Sequence, residues 1–529
     1  MQGRKPLLTL LVAGLVSVSA RAAGQPNVLL IMCDDLNDYV SGFDGHPQAK
    51  TPAAEKLAAS GTIFTRAYCN FPACVPSRNS LIHGIYPHHG GSTWNPWTDL
   101  PGFSGSKTMM SFFRENGYTV IGSGKIDHYH NPKEWTTFHH KPDYGPFWHQ
   151  DGEAGAHPDV KAPFREIGRV DGSFGSLESA LKSNPTKGDG WHHAPAKWKA
   201  KAKPMRKDPK LGWMTPDKIN AQLMKKLLTG KTKGLKEPFF LSVGFIRPHT
   251  PLHVEEKFFQ QFPVDRLKLN PIKSGDADDT HLKKLSNLKK SKGYRYYNDI
   301  KESYGGTDEG LKLFLQAYLA SVTAVDQNIA TVMTALDNST YKDNTIVILT
   351  SDHGWQMGEK EWLFKGSPWE ESTRVPMIIR VPGMTTPGST CSKPVSLVDI
   401  YPTLVDLCGL EGSTTKTPKD RQLDGHSMTP FLKNPENGTW SGPDVAVTLV
   451  RADNCNPKDE STHHYSVRSE RYRYIRYNNG KEELYDHERD PHEWKNLSNH
   501  PEFEKVRRQH LKSLNDLTGF KFPVTKKTP

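Results

Sequence analysis

The sequence predicts an α/β fold with a mainly parallel central sheet flanked by helices and a smaller antiparallel sheet near the C-terminus. Short apolar runs bounded by polar or glycine residues are typical of buried parallel strands, and they occupy 27–33, 118–124, 238–245 and 344–352. A long helical pattern over 308–337 leads directly into the last of these runs. After about Val445, aromatic and basic residues alternate at period two, which indicates antiparallel strands.

The N-terminus has the pattern of a secretory signal peptide. Arg4 and Lys5 precede an apolar stretch over 7–18 and then small residues, so we expect cleavage after Ala20 or Ala22. The apolar stretch is too short to span a membrane, and no later segment qualifies as a span. We therefore expect a periplasmic or secreted protein.

The chain is expected to have three parts. A signal peptide over 1–22 precedes a large domain over 23–444, and a C-terminal subdomain covers 445–529. The large domain contains two irregular insertions, near 141–210 and near 272–306. The first insertion is rich in Gly, Pro, His, Lys and Trp, and we expect it to lie over the site and shape the substrate pocket.

The overall composition is that of a globular, basic protein. Hydrophobic residues make up 35% and charged residues 24% of the chain, which excludes a disordered or fibrous protein. Lys and Arg number 69 against 58 Asp and Glu, a formal net charge of +11. Such an excess fits either a solvated surface or an anionic partner, whether nucleic acid, an anionic membrane or an acidic polymer.

The six cysteines do not form a disulfide scaffold in a chain of this length. No CxxC occurs, which excludes a zinc ribbon. Cys391 and Cys408 could pair, although sequence alone does not establish it. If Cys74 is set aside, five thiols remain, so at least one is free or pairs with another chain.

Acidic residues follow two of the predicted strands. Asp34 and Asp35 end the first, and Asp352 lies in the Ser-Asp-His-Gly stretch that ends another. The carboxyl ends of parallel strands meet at one edge of a sheet, where ligands bind. Carboxylates that converge there repel one another unless a cation lies among them. The acid pair alone would fit a turn or a helix cap, but with Asp352 after a matching strand the pattern favours a metal site.

A single cysteine stands out in the stretch NFPACVPSRNSLIHG, residues 70–84. Cys74 is expected just before a helix that begins near Pro76 or Ser77. The N-terminus of a helix favours an anion, and Arg78 adds a positive charge. An isolated cysteine is usually buried and inert, so these residues alone leave both an inert and an activated Cys74 open.

The stretch CVPSRNSLIHG resembles the signature of the sulfatase family, in which the cysteine is oxidised to formylglycine. Further segments resemble the family in the same order, and they occupy 27–35, 117–128, 242–263, 350–365 and 483–497. The similarity is greatest to the iduronate-2-sulfatase-like branch. It rests on the Asp-His pair at 352–353, the Arg-Pro-His-x-Pro segment at 247–251, and Lys365 thirteen positions after Asp352.

The resemblance implies an alkaline-phosphatase-like fold, one Ca²⁺ ion, and formylglycine made from Cys74 by a formylglycine-generating maturation enzyme. An oxygen of the modified Cys74 would join the metal ligands, which the resemblance assigns to Asp34, Asp35, Asp352 and His353. The catalytic polar shell is assigned to Arg78, Lys125, His128, His249 and Lys365. His353 stands where many members have Asn, and Ca²⁺ prefers oxygen. His83 replaces the usual Thr and is expected to pack, while the C-x-P-x-R core needed for modification is intact.

In such a mechanism the formylglycine hydrate attacks sulfur, and Ca²⁺ and the lysines neutralise the sulfate charge. We assign the proton donor for the leaving alcohol to His249 and the base to His128.

The expected substrate is a sulfated polysaccharide or its oligosaccharides, with no nucleic-acid or membrane partner. The excess of Lys and Arg over Asp and Glu would attract the sulfate groups, and the tryptophans at 92–97 fit either contact with a sugar ring or packing in the core. One alternative is a phosphonate or phosphate ester hydrolase of the same superfamily. The other is a non-catalytic protein that binds acidic glycans.

Overall fold

A computed structural model of the protein describes residues 24–90, 101–128, 131–180, 189–194, 203–230, 235–456 and 459–524. The predicted signal peptide at 1–22 and the tryptophan motif at 92–97 lie outside these ranges. Among the described residues, no helix is both long and apolar enough to cross a membrane.

The central sheet is mainly parallel, as predicted. In the described part of the chain it has eight strands, in the spatial order Ser389–Cys391, Thr62–Phe64, Met377–Arg380, Thr345–Ser351, Asn27–Asp34, Phe239–Pro248, Thr119–Gly124 and Thr137–Phe138. Met377–Arg380 runs antiparallel to both of its neighbours, and the other pairs are parallel. Asn27–Asp34 therefore lies at the centre, between two strands whose carboxyl ends meet its own.

Helices cover both faces of this sheet. The longer helices among the described residues are Pro52–Ala58, Cys74–His83, Met109–Glu115, Pro216–Leu228, Lys292–Ser303, Glu309–Asp337, Ile400–Leu407 and Glu504–Thr518. Alternate residues of the central strand enter different cores: Leu29 and Ile31 lie in the cluster that contains Glu309–Asp337, and Leu30 in the cluster that contains Cys74–His83. Burial on both faces explains why the strand sequence is continuously apolar.

Smaller elements join these layers. Short helices are Pro87–Gly90, Pro101–Ser104, Glu256–Phe259, His281–Leu285, Glu370–Thr373 and Thr429–Lys433. Small sheets are formed by Phe147–Gln150 with Glu153–Gly155 and Gly190–His192, Phe174–Ser176 with Leu252–Val254, Lys207–Asp208 with Gly212–Trp213, Ala67–Tyr68 with Arg374–Val375 and Val395–Ser396, and Gln356–Met357 with Leu363–Phe364.

The second insertion is more regular than its polar sequence indicates. It contains the helices His281–Leu285 and Lys292–Ser303. In the longer helix Gly293, Tyr296 and Ile300 are buried, and their spacing of three and four residues places them on one face. The expectation of an irregular segment was wrong here because the buried positions of this helix include glycine, serine and tyrosine, which give a weak apolar pattern.

The C-terminal antiparallel sheet is confirmed. Its described strands are Ala446–Val450, His464–Arg468, Tyr472–Arg476 and Glu482–Asp486, paired in sequence order, and the helix Glu504–Thr518 packs on them. The sheet contacts the segment that directly precedes the helix Cys74–His83. The backbone N–H of Leu449 donates to Asn70 O at 3.0 Å, and the Asn70 side chain donates to Val447 O at 3.1 Å. The small sheet therefore supports the segment that carries Cys74.

All six cysteines are described, and all are free thiols. Cys391 and Cys408 do not pair, although both pack in the same core cluster.

Candidate active site

The two aspartates at the end of the central strand are held in a specific geometry. Asp34 is the last residue of Asn27–Asp34, and the pairing with Phe239–Pro248 shifts register between Cys33 and Asp34. Asp35 then adopts a φ of +61°, a conformation that non-glycine residues rarely adopt. The Tyr318 hydroxyl donates to Asp35 O at 2.7 Å and stabilises this turn. The turn brings the Asp35 N–H to 3.2 Å from Asp352 Oδ1, so the acids of two strands meet as predicted.

Cys74 lies at the start of the helix Cys74–His83, one turn before Arg78. Its side chain faces the acids: Sγ is 3.1 Å from Lys365 Nζ, 3.3 Å from His353 Nε2 and 3.8 Å from Asp35 Oδ1. Burial raises the pKa of the thiol, and Asp34 adds to the shift against the opposing effect of the lysines. The thiol is therefore protonated near neutral pH, which is unlike the thiolate of a cysteine nucleophile.

Arg78 holds the acids in place. It is 0% exposed, and its Nε donates to Asp352 Oδ2 at 2.8 Å while Nη2 donates to Asp34 Oδ1 at 3.1 Å. Its Nη1 donates to the backbone carbonyls of Lys125 and Ile126. Because most of its donors are used in this way, the structure places Arg78 as the support of two carboxylates from different strands.

The two lysines approach from opposite sides. Lys125 is buried and its Nζ forms an ion pair with Asp34. Lys365 is 21% exposed in its side chain, and its Nζ is 2.6 Å from Asp35 Oδ1. Burial lowers the pKa of both ammonium groups, but the facing carboxylates raise it more, so both remain charged.

The predicted histidines also lie at this edge. His249 Nε2 is 3.8 Å from Asp35 Oδ2, and its Nδ1 is 2.5 Å from Thr250 O, which orients the ring. Burial, reinforced by Lys365, lowers the pKa of His249 well below its ordinary value. Burial and then Lys125 lower the pKa of His128 to about 3. Both rings are therefore neutral at pH 7 in the protein without substrate.

Tyr144 lies among these residues although no sequence motif indicated it. Lys125 Nζ is 4.8 Å from the centroid of its ring, the His249 ring centroid is 5.1 Å away, and its hydroxyl is 3.5 Å from His128 Nε2. Arg247 fixes this arrangement by donating to the carbonyls of both Tyr144 and His249. Tyr144 comes from the first insertion, where an aromatic residue in an irregular stretch has no distinguishing pattern.

His83 lies apart from this cluster. Its Nδ1 pairs with Ser106 Oγ, and its ring centroid is 5.0 Å from that of Phe103. Packing, as expected, explains this residue.

The residues present fit a hard divalent cation. Candidate ligand atoms of Asp34, Cys74, Asp352 and His353 lie within 4.8 Å of one another, and Asp35 belongs to an overlapping group with His249. Asp35 Oδ2 is buried without a hydrogen-bond partner, and burial raises the pKa of Asp35 to about 8. A cation at this position would supply the missing partner. Carboxylate oxygens are donors that Ca²⁺ prefers.

Replacing Arg78 should destabilise this site strongly. In Arg78→Ala the Asp34 and Asp352 carboxylates lose their shared partner, and we expect the free energy of unfolding to fall by about 3–5 kcal/mol. Affinity for an added divalent cation should fall as well. Denaturant unfolding and metal analysis measure the two effects. Arg508→Ala, which removes an exposed pair with Glu504, should change stability by less than about 0.5 kcal/mol. An Arg78→Ala protein as stable as Arg508→Ala would contradict the supporting role.

Fold and site together define a class of enzyme. At the carboxyl edge of a mainly parallel sheet, acids that fit a cation lie beside a buried cysteine, and two lysines and two histidines lie in the same cluster of residues. This arrangement suits hydrolysis of anionic esters. The sulfatase family profile matches residues 26–410, and the profile for the C-terminal region of N-sulphoglucosamine sulphohydrolase matches 358–519. The chain belongs to the sulfatase family and is a sulfuric ester hydrolase.

Known proteins resemble the chain over most of its length. A sulfatase from Formosa agariphila is 31% identical over 500 residues, covering 93% of this chain and 86% of the relative. Iduronate 2-sulfatase from Mus musculus is 28% identical, covering 73% and 69%. N-acetylglucosamine-6-O-sulfatase from Bacteroides thetaiotaomicron is 25% identical, covering 97% and 89%.

Solved structures share the alkaline-phosphatase-like sulfatase fold. A protein solved in complex with its substrate D-glucosamine-2-N,6-O-disulfate has a TM-score of 0.66 at 20% identity, covering 94% of this chain and 98% of that one. Phosphonate monoester hydrolase of Agrobacterium radiobacter also has a TM-score of 0.66, at 24% identity, covering 94% and 96%. At these identities the likeness concerns the fold.

Proposed function

We propose that the protein releases sulfate from sulfated polysaccharides or their oligosaccharides, using formylglycine formed from Cys74 and a Ca²⁺ ion held by Asp34, Asp35, Asp352 and His353. The supporting observation is the position of Cys74, a buried, protonated thiol at a helix start between Lys365 and His353. Relatives named for sulfated sugars support the substrate class. The N-terminal pattern supports a periplasmic or secreted location, with a formylglycine-generating enzyme as a required partner.

The chain's own charges prepare the site for a sulfate ester. When present, the cation supplies Lewis-acid stabilisation and the modified residue supplies an oxygen nucleophile. Lys125 and Lys365 stay protonated and can neutralise sulfate oxygens as charge builds on them. Arg78 holds the Asp34 and Asp352 carboxylates in the positions from which they would bind the cation. The Tyr144 ring lies 4.8 Å from Lys125 Nζ and stabilises its charge by a cation–π contact.

Two histidines supply the proton transfers. The orientation of the His249 ring by Thr250 O leaves Nε2 facing the site. A bound sulfate ester adds negative charge beside this ring and raises its pKa, so His249 takes up a proton and delivers it from Nε2 to the leaving alcohol. His128, held beside Tyr144, accepts a proton in the step that follows departure of the alcohol.

Sulfate release from a panel of defined sulfated oligosaccharides tests this proposal. We expect release from at least one sugar sulfate, with metal analysis showing about one Ca²⁺ per chain. Matched phosphate and phosphonate esters should react far more slowly. Faster turnover of the phosphorus esters would favour the alternative hydrolase. A modified, Ca²⁺-loaded protein that binds acidic glycans but releases no sulfate would favour the glycan-binding alternative.

A further inference from the structure

A second feature of the molecule is a cleft that opens onto the site. It has a volume of about 380 Å³, and its lining includes Ala73 and Lys365. Ala73 directly precedes Cys74, and Lys365 Nζ is 3.1 Å from the Cys74 sulfur. A ligand whose reacting group lies at Cys74 therefore has this cleft beside it. Of the described residues that line the cleft, Lys365 alone has a role in the proposed hydrolysis of the sulfate ester.

The cleft is basic. Among its described lining residues, Lys290, Lys292, Lys365 and Arg451 are cationic, and Asp453 is the one carboxylate. The three cations other than Lys365 are exposed. They come from two parts of the chain that are distant in sequence, the second insertion and the C-terminal sheet region. Their convergence on one cleft creates a positive potential that attracts an anion.

The wall behind these charges is apolar and firmly held. Leu282 and Trp362 line it and are 5% and 6% exposed. The Trp362 ring packs against Gly293, where even an added Cβ would lie 1.9 Å from the ring. Its Nε1 donates to Lys365 O at 3.1 Å, which ties the wall to the catalytic lysine. An apolar wall with a basic rim fits a sugar ring that carries acidic groups.

We propose that this cleft binds a second acidic group of the same sugar chain, a sulfate or a uronate carboxylate, next to the ester that is cleaved. The proposal rests on the proposed action on sulfated sugars. It predicts a preference for substrates with at least two acidic groups, because Lys290 and Arg451 would contact the second group while Lys365 contacts the first. Inorganic sulfate or a simple aryl sulfate would not reach the cleft.

The test is binding of a heparin-derived tetrasaccharide to Cys74→Ala, which binds without turnover, measured by calorimetry. Exposed charge contacts contribute about two- to fivefold each, so Lys290→Glu with Arg451→Glu should weaken binding about 4- to 25-fold. Without the Cys74 change, the same two substitutions should leave kcat/KM for nitrophenyl sulfate within about twofold.

A carboxyl-reduced tetrasaccharide distinguishes the two possible anions. If reduction removes the effect of the two substitutions on binding, the second group is a carboxylate, and otherwise it is a sulfate.

The matched control changes net charge equally outside the cleft, with Lys505→Glu and Lys512→Glu on the C-terminal helix. Equal loss of binding in this control would overturn the proposal, because bulk charge would then explain the effect. Unchanged binding in the cleft variant, or an equal loss of nitrophenyl sulfate turnover, would overturn it as well. If cleft-dependent binding persists while no sugar in the panel releases sulfate, the substrate proposal fails and the cleft remains a binding site.

Discussion

Cys74→Ala is expected to fold normally and to lose turnover of every sulfate ester. Alanine cannot be oxidised to an aldehyde, so the nucleophile that the family derives from this position cannot form. The side chain is small, and its sulfur is only a weak acceptor for the Lys365 ammonium, which keeps its ion pair with Asp35, so the free energy of unfolding should change by only about 1 kcal/mol. Cys74→Ser should also lose turnover, since a serine sulfate ester has no second hydroxyl to expel sulfate. Activity assays and denaturant unfolding measure the two sides of this expectation.

Cys69→Ala is the matched control. Cys69 is also buried, lies five residues earlier, and its Sγ lies 3.8 Å from Ser372 O, outside the candidate active site. It should retain activity. Mass spectrometry of the peptide containing residue 74 should show a species lighter than the cysteine form in the native protein. Substantial turnover by Cys74→Ala, or full turnover by a native protein that carries only unmodified cysteine, would rule out the proposed nucleophile.

Much of the fold could be predicted because its strands are buried on both faces. Asn27–Asp34 and Thr345–Ser351 are continuous apolar runs, and such runs identify central parallel strands. Local capping was less predictable. Thr51 stands at the N-cap position of Pro52–Ala58, but its hydroxyl accepts from Ser41 N, and Asp326 on the long helix accepts from the first N–H groups instead. A partner that is distant in sequence leaves no local signal.

The candidate site could also be predicted only in part, because some of its contacts join residues that are distant in sequence. Its acids and Cys74 sit at strand and helix ends, where position along the chain indicates position in space, and they meet as expected. Tyr144 reaches the site from an insertion whose path no local pattern encodes. The hydrogen-bond partners of Arg78 could not be predicted either, because a sequence shows that an arginine is present but not which carboxylates accept from it.

His249→Ala should separate substrates by their leaving group. A sugar alkoxide is a poor leaving group and needs a proton, so its turnover should fall about 10²–10⁴-fold. Nitrophenolate leaves without a proton, so turnover of nitrophenyl sulfate should change little. The pKa of His249 is depressed by burial and Lys365, so the acid form is favoured as pH falls. In the native enzyme kcat/KM for the sugar sulfate should therefore decline as pH rises, and this dependence should disappear in His249→Ala.

His128→Ala is the comparison that tests whether His249, and not His128, donates the proton to the leaving alcohol. A base that acts after the alcohol has departed serves both substrates alike, so its loss should slow sugar and nitrophenyl sulfate by similar factors when that step limits the rate. Only a proton donor to the leaving alcohol can produce a loss that depends on leaving-group basicity. Equal losses on both substrates in His249→Ala would therefore show that His249 is not the acid. A leaving-group-dependent loss in His128→Ala would instead transfer the acid role to His128, whose position beside Tyr144 would then face the departing sugar.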